Sequence, residues 1–225
     1  DMHYNVVYAQ MTRGKTEKTV SYAISALAGT LNKLAGDACL FMSQNFSFIE
    51  LPKEFTTGSS IMPHKKNPDV FELMRGKCNK LQAIVGELSM ITTNLTSGYF
   101  RDLQLLKEKF IYGFEEIISC LEVALLVIPN ITIKENILDD SMYDYLFSVE
   151  EVNRRVLEGI PFREAYKQVG IEIENDNFNP NKNIAHTHEG SIGNLCTEEI
   201  KRKMDANYAK ISTTKIDAAV KSLLS

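Results

Sequence analysis

Ser59, Ser60, Lys65, Lys66 and Asn67 crowd into residues 57–69, Thr-Gly-Ser-Ser-Ile-Met-Pro-His-Lys-Lys-Asn-Pro-Asp, and offer hydroxyls, ammonium groups and an amide. These groups recognise an anion, a carboxylate or a phosphate. Gly58 brings backbone freedom that suits a mobile turn. Pro68 fixes φ and suits the first position of a helix, with Asn67 placed as the N-cap. A hydroxyl- and ammonium-bearing loop is thus expected to run into a helix N-terminus, where free N–H groups and the macrodipole favour negative charge. A plainer reading stays open on chemistry alone: Asn-Pro-Asp starts helices in many proteins, and Lys-Lys is usually solvated surface. The spacing is not that of a nucleotide P-loop.

Gly58-Ser59-Ser60-Ile61-Met62-Pro63-His64-Lys65-Lys66-Asn67-Pro68 resembles the signature loop of the fumarase/aspartase superfamily. Members of that superfamily reversibly eliminate fumarate from a succinyl-containing substrate. Lys65-Lys66-Asn67-Pro68-Asp69, in place of the Lys-Val-Asn-Pro typical of fumarases, points to the argininosuccinate lyase branch. Gly98-Tyr99-Phe100-Arg101-Asp102-Leu103-Gln104-Leu105-Leu106-Lys107-Glu108 and Gly159-Ile160-Pro161-Phe162-Arg163-Glu164-Ala165 agree with it. The resemblance runs from about Tyr8 to about residue 175, and more loosely to the end.

By that resemblance Ser59 is the catalytic base, Lys65 and Asn67 grip the substrate carboxylate, and Glu72 pairs with a catalytic histidine. Tyr99, Gln104 and Lys107 match positions that contact argininosuccinate; Gln104 and Lys107, three residues apart, are expected on one helix face. The implied reaction gives arginine and fumarate with no cofactor and no metal. The implied assembly is a homotetramer in which each subunit gives five long helices to a central core and active sites are composite. The histidine itself is not found: His64 sits at a position that varies within the family, and His3 is terminal. The proton donor is therefore expected in an N-terminal portion that family members carry, and the chain is read as a fragment or one piece of a cleaved protein. Two rival readings are another fumarate-releasing lyase, such as adenylosuccinate lyase, and a non-catalytic crystallin-like protein.

The chemistry makes demands on these residue types. A weakly acidic carbon-bound proton beside a carboxylate must be removed, the developing aci-carboxylate stabilised and the leaving nitrogen protonated. Serine is a poor base at its free pKa, so Ser59 needs cationic neighbours, backbone N–H groups and exclusion of water by loop closure. A fixed cation such as Lys65 acts more strongly in a dry site than in water. Glu72 has a plainer explanation too, because any acid in a first helical turn is favoured by the dipole.

The elements that must position these groups read as helices, and the fold class is all-α: a long-helix bundle with a small C-terminal helical domain. From about Thr16 to Asn45 the apolar positions Val20, Ile24, Leu27, Leu31, Leu34, Ala38 and Phe41 alternate by four and three. A second long helix from Pro68 carries Met74, Cys78, Leu81, Val85, Leu88 and Leu95, and bends at Thr96-Ser97-Gly98. A third runs from about Leu103 to Val127. Three such helices cannot bury all their apolar surface alone, so further helices or other subunits must cover it. Thr12-Arg13-Gly14-Lys15-Thr16-Glu17 reads as a polar turn of solvated capping residues. It departs from the family's commonest form there, Asp-Ala-Thr-Ser-x-Arg-Asp, and no role is carried onto it. The bundle is expected over 1–129, with the signature loop at 57–69, and the small domain over 130–225. Two short helices are expected at Tyr143–Glu158 and Phe162–Ile173, then a loop over 175–195 and a return to helix from Glu198.

A chain of 225 residues with 44% hydrophobic and 24% charged residues suits a soluble globular protein of one or two domains. A net charge of −4 gives no support for nucleic-acid binding, and no apolar run approaches membrane-spanning length. Cys39, Cys78, Cys120 and Cys196 lack zinc spacing and read as free thiols of a reducing cytoplasm. His186-Thr187-His188-Glu189 offers metal-ligand types, but the remaining ligands of a metal site are missing.

Overall fold

The computed structural model describes residues 5–58, 60–62, 64–184 and 186–224, and the chain divides into two compact units, Asp1–Ile137 and Leu138–Ser225. Among the described residues the fold is all-α apart from one two-stranded pairing.

The first unit opens with a short helix, α1 (Val6–Met11), capped by the Asn5 side chain, which accepts from the Tyr8 N–H at 2.9 Å. Three long helices follow: α2 (Lys15–Phe41), α3 (Asp69–Ile91) and α4 (Leu106–Val127). Neighbours run antiparallel. Lys18 near the start of α2 donates to Thr92 just past the end of α3 (3.1 Å), and Lys77 of α3 meets Glu116 of α4 (2.5 Å) while Lys80, later in α3, meets Tyr112, earlier in α4 (3.0 Å). The alternation by three and four residues is present, but on slightly different residues from those the pattern suggested. In α2 the buried seam is Ser21, Ile24, Ala28, Leu31, Ala35 and Ala38, while Leu27 stays 40% exposed. Ala28 and Ala35 are fully buried in that seam beside Leu31, and Leu27 and Leu34 sit at its margin. In α3 the seam is Phe71, Met74, Cys78, Leu81, Ile84 and Leu88, with Ile84 where Val85 was expected. In α4, Gly113 belongs to the seam: a Cβ there would stand 3.2 Å from Ile84 Cδ1, so the missing side chain is what lets α3 and α4 approach.

Ile49–Glu50 (β1) pairs antiparallel with Thr132–Ile133 (β2), register Ile49↔Ile133 and Glu50↔Thr132. This pairing corrects the expected domain boundary at 129/130. Ile131 packs on the bundle core and β2 is hydrogen-bonded to β1, so the segment after Pro129 stays with the first unit and the division falls after Ile137.

One polar cluster lies within the α3–α4 contact. Glu116, 8% exposed, accepts from Lys77 at 2.5 Å and from the Tyr112 hydroxyl, whose oxygen in turn accepts from Lys80 at 3.0 Å. The bond from Lys77, then that from Tyr112, holds the Glu116 carboxyl below its ordinary value of 4.5 against the opposing effect of burial. A depressed folded-state value means the stabilisation is present above 4.5 and is lost as pH falls through the folded value. Glu116→Ala should lower the unfolding free energy by about 2 kcal/mol near neutral pH, a magnitude set by charge-assisted hydrogen bonds and softened by the half-exposed Lys77. Urea denaturation of both proteins checks this. The gap between them should narrow in acid, and a gap independent of pH would mean that the charge contributes nothing.

In the second unit a 3-10 turn, Ser141–Phe147, leads into α5 (Ser148–Leu157), which packs on α6 (Phe162–Glu174). Val152, Ala165 and Val169 form the small core, with Ile160, Ile173 and Phe178 against it. Arg155 of α5 ties the pair together through Glu172 of α6 at 2.6 Å and is held by Glu151 of its own helix at 3.2 Å. The last stretch forms two helices, α7 (Thr197–Tyr208) and α8 (Thr214–Leu224), neither of which buries a residue.

Candidate active site

Of the seven residues singled out from the sequence, Ser59 lies outside the described residues. The structure places the other six at two separate ends of the bundle.

The first end holds the loop between β1 and α3. Thr57 and Asn67 form an isolated antiparallel bridge, with the Asn67 N–H donating to Thr57 O at 2.9 Å and the reverse bond at 3.4 Å. The bridge pins both feet of the loop while its tip stays in solvent, with Ile61 86% exposed and Lys65 and Lys66 exposed. Within it, the Lys65 N–H donates to Met62 O at 3.0 Å, which turns the chain and sets the Lys65 side chain beside the start of α3. A cavity of about 600 Å³ opens there between the loop and the end of α2; Cys39, Met42, Lys65, Lys66, Asn67 and Glu72 are among its walls. The Cys39 thiol is pushed up by burial, with Arg75 opposing and Glu72 adding to the rise, so these three groups share one electrostatic neighbourhood.

Two expectations for this end are corrected. Asn67 is not a helix cap. Its backbone is taken by the bridge to Thr57, Pro68 stands at the cap position without a side-chain bond, and α3 begins at Asp69. Gly58 is not in the left-handed region, and a Cβ there would meet open space. Its conformation is one that other residues adopt. The helix N-terminus is also less available to a ligand than the sequence suggested, because Asp69 and Glu72 already place carboxylates in its first turn. The attraction for an anion at this end therefore comes from Lys65 and Lys66.

The second end is where α2 starts and α3 stops. Tyr99 lies after α3, 62% exposed, and carries the Arg13 guanidinium over its ring at 4.1 Å. Gln104 closes a 3-10 turn, Arg101–Gln104, and Lys107 lies in the first turn of α4. They belong to different elements, so the shared helix face expected for them is not kept, although both are exposed at the same end. Arg13 is a residue the sequence reading passed over as solvated capping. Its signal was the Arg-Gly step: Gly14 takes φ 84° as the N-cap of α2, and a Cβ there would stand 3.1 Å from Leu106 Cδ1 and Thr92 Cγ2. Such a tight left-handed corner sets the direction of the side chain before it.

The two ends are separated by the length of α2, which has 27 residues and so extends about 40 Å. An amino-acid-sized substrate made of ~1.5 Å bonds cannot touch both ends of one chain. Elsewhere, in the second unit, His186 Nε2 faces Glu150 Oε2 at 3.1 Å and its ring stacks on His188 with centroids 5.4 Å apart. Among the described residues no helix is long and apolar enough to cross a membrane.

Comparison with known proteins adds a family description. Residues 9–83 match a family described as "Lyase". The chain is 57% identical to the argininosuccinate lyase of Parabacteroides distasonis over 223 residues, which is 99% of this chain and 50% of that protein. It is 35% identical to the argininosuccinate lyase of Thermotoga neapolitana over 168 residues, covering 75% of this chain and 42% of the relative. The chain thus spans about half the length of the curated relatives it matches. Among solved structures, a fumarate lyase:delta crystallin from Brucella melitensis superposes with a TM-score of 0.60 at 20% identity, covering 79% of this chain and 38% of that one. A class II fumarase from Schistosoma mansoni gives 0.56 at 18% identity, covering 77% and 40%. At these identities the likeness speaks for the fold.

Proposed function

We propose that this chain, a relative of the argininosuccinate lyases over nearly its whole length, supplies two parts of the active site of a lyase that splits argininosuccinate into arginine and fumarate. The observation that carries the reading is the 57% identity over 223 residues, a span that includes both the pinned loop and the Tyr99–Lys107 segment. In this reading Ser59 takes the proton from the carbon beside the scissile C–N bond. Lys65 and Asn67 hold the carboxylate next to that carbon, where negative charge builds in the transition state. Glu72 orients a histidine acting on the same substrate. Tyr99, Gln104 and Lys107 hold the guanidino-amino acid that leaves.

Since one chain keeps these two groups of residues at opposite ends of α2, each working site joins the loop of one copy to the Tyr99 end of another. The surface supports association. Leu73 is 66%, Ile118 51% and Leu125 75% exposed on the long helices, apolar area of a kind that a partner covers. A homotetramer fits this reading, and light scattering should give a mass of several chains.

The direct test, on the full-length protein, is the rise of fumarate absorbance with argininosuccinate and, in parallel, with adenylosuccinate. Turnover of the first alone is expected. Turnover of adenylosuccinate alone would replace the substrate, and none with either would favour the structural-protein reading. Gln104→Ala and Lys107→Ala should each raise KM for argininosuccinate about tenfold with a smaller effect on kcat, since each removes a contact to the part of the substrate that does not react. Unchanged kcat/KM in both would take them out of the site.

A further inference from the structure

Among the described residues, one imidazole lines the cavity of about 600 Å³ at the loop end, that of His64. It stands inside the turn that the Lys65 N–H closes on Met62 O at 3.0 Å. His64 lines the cavity and is also exposed, so its ring borders both the reaction space and bulk water. A group in that position can carry a proton from one to the other.

The chemistry of the loop calls for such a group. In the lyase reading a serine hydroxyl takes a proton from carbon. Serine is a poor base until its own proton has been given away, and the receiver must be close by and able to accept near neutral pH. The titratable and charged groups that share the cavity with His64 are Cys39 of α2, Lys65 and Lys66 of the loop, and Glu72 of α3, with Arg75 acting on Cys39. Ammonium and guanidinium groups have no lone pair with which to accept. The Cys39 thiol, pushed up by burial, keeps its proton. Glu72 is committed in that reading to a different histidine. An imidazole gains and loses a proton near neutral pH, and His64 supplies it.

We propose that His64 is a proton relay between the serine of this loop and water. The inference rests on the lyase reading above and adds a residue to its proton path. The imidazole takes the hydroxyl proton and leaves an alkoxide. The alkoxide takes the carbon-bound proton, that electron pair forms the C=C bond of fumarate, and the C–N bond breaks with its pair going to nitrogen. A separate donor protonates the nitrogen. The imidazolium then gives its proton to water, and the donor regains one, so the proton count closes. His64 does not touch the substrate; it acts through Ser59.

The experiment follows fumarate release from argininosuccinate across pH by the full-length enzyme and its His64→Gln and His64→Ala variants, with and without added imidazole. Near neutral pH the kcat of His64→Gln should fall about tenfold, less than for a base that meets the substrate, because water takes over part of the transfer. KM should change little. The acid-side fall of log kcat seen in the wild type should flatten in His64→Gln. Added imidazole should raise the kcat of His64→Ala in proportion to its concentration and leave the wild type unchanged. An unchanged kcat in both variants would overturn the relay. So would a loss that keeps the wild-type pH profile and ignores imidazole, which would mean that His64 only shapes the loop. A wild-type enzyme that releases no fumarate from argininosuccinate would instead sink the lyase reading on which the relay depends.

Discussion

Replacing Ser59 with alanine should lower kcat for fumarate release by roughly 10²–10⁴-fold, the span associated with losing a positioned general base. The oligomer should be unaffected. Elimination from a succinyl unit cannot begin until a carbon-bound proton is taken. The hydroxyls at Ser59 and Ser60 are the candidates that the loop offers next to its two lysines. The feet of the loop are tied by the Thr57–Asn67 bridge, and Ile61 between them is 86% exposed. Closure would bring Lys65 into a drier place, where its charge lowers the pKa of a neighbouring hydroxyl and strengthens its hold on the carboxylate. KM should change little, because the base does no work until the transition state. Ser60→Ala serves as the comparison. A Ser59→Ala protein with near wild-type kcat, or a Ser60→Ala protein with the larger loss, would move the base to a different residue.

Much of the fold could be read in advance, for a physical reason. Seams that repeat by three and four residues leave little freedom about where long helices lie, and α2, α3 and α4 begin and end within a few residues of expectation. The errors fall where side-chain size rather than polarity decides. Ala28 and Ala35, rather than Leu27 and Leu34, are the buried positions on either side of Leu31. Helix starts were less legible: Asn67-Pro68 looks like a cap by residue type, but a bridge to Thr57 claims the Asn67 backbone first, and that bridge joins residues ten apart. The boundary after Ile137 depends on β1 pairing with β2, a contact across more than eighty residues that no local pattern announces.

The candidate residues were legible one at a time and their arrangement was not. Spacing along the chain left open where Lys65, Glu72, Tyr99 and Lys107 sit relative to one another. Antiparallel packing of α2 against α3 sends the first two and the last two to opposite ends. Arg13 went unrecognised for a related reason. Its contact with Tyr99 spans the α2–α3 hairpin, and the one local mark beside it is the left-handed Gly14 that follows.

That separation yields the second large effect. A site assembled between copies can be broken in two different chains and restored by mixing them. The Ser59→Ala protein lacks the base but keeps an intact Tyr99 end. A Gln104→Ala/Lys107→Ala protein keeps the loop and loses two contacts at the other end, and each variant alone should be nearly silent at low substrate. Where the two chains meet in one oligomer, the loop of the double variant can face the Tyr99 end of the Ser59→Ala chain, and that pocket is wild type throughout. The measurement is fumarate release by hybrids of the full-length variants, co-expressed with two different tags and purified through both. Activity far above the sum of the two parents is the expected result. Hybrids no more active than their parents would place both ends in one chain's site and contradict the composite arrangement.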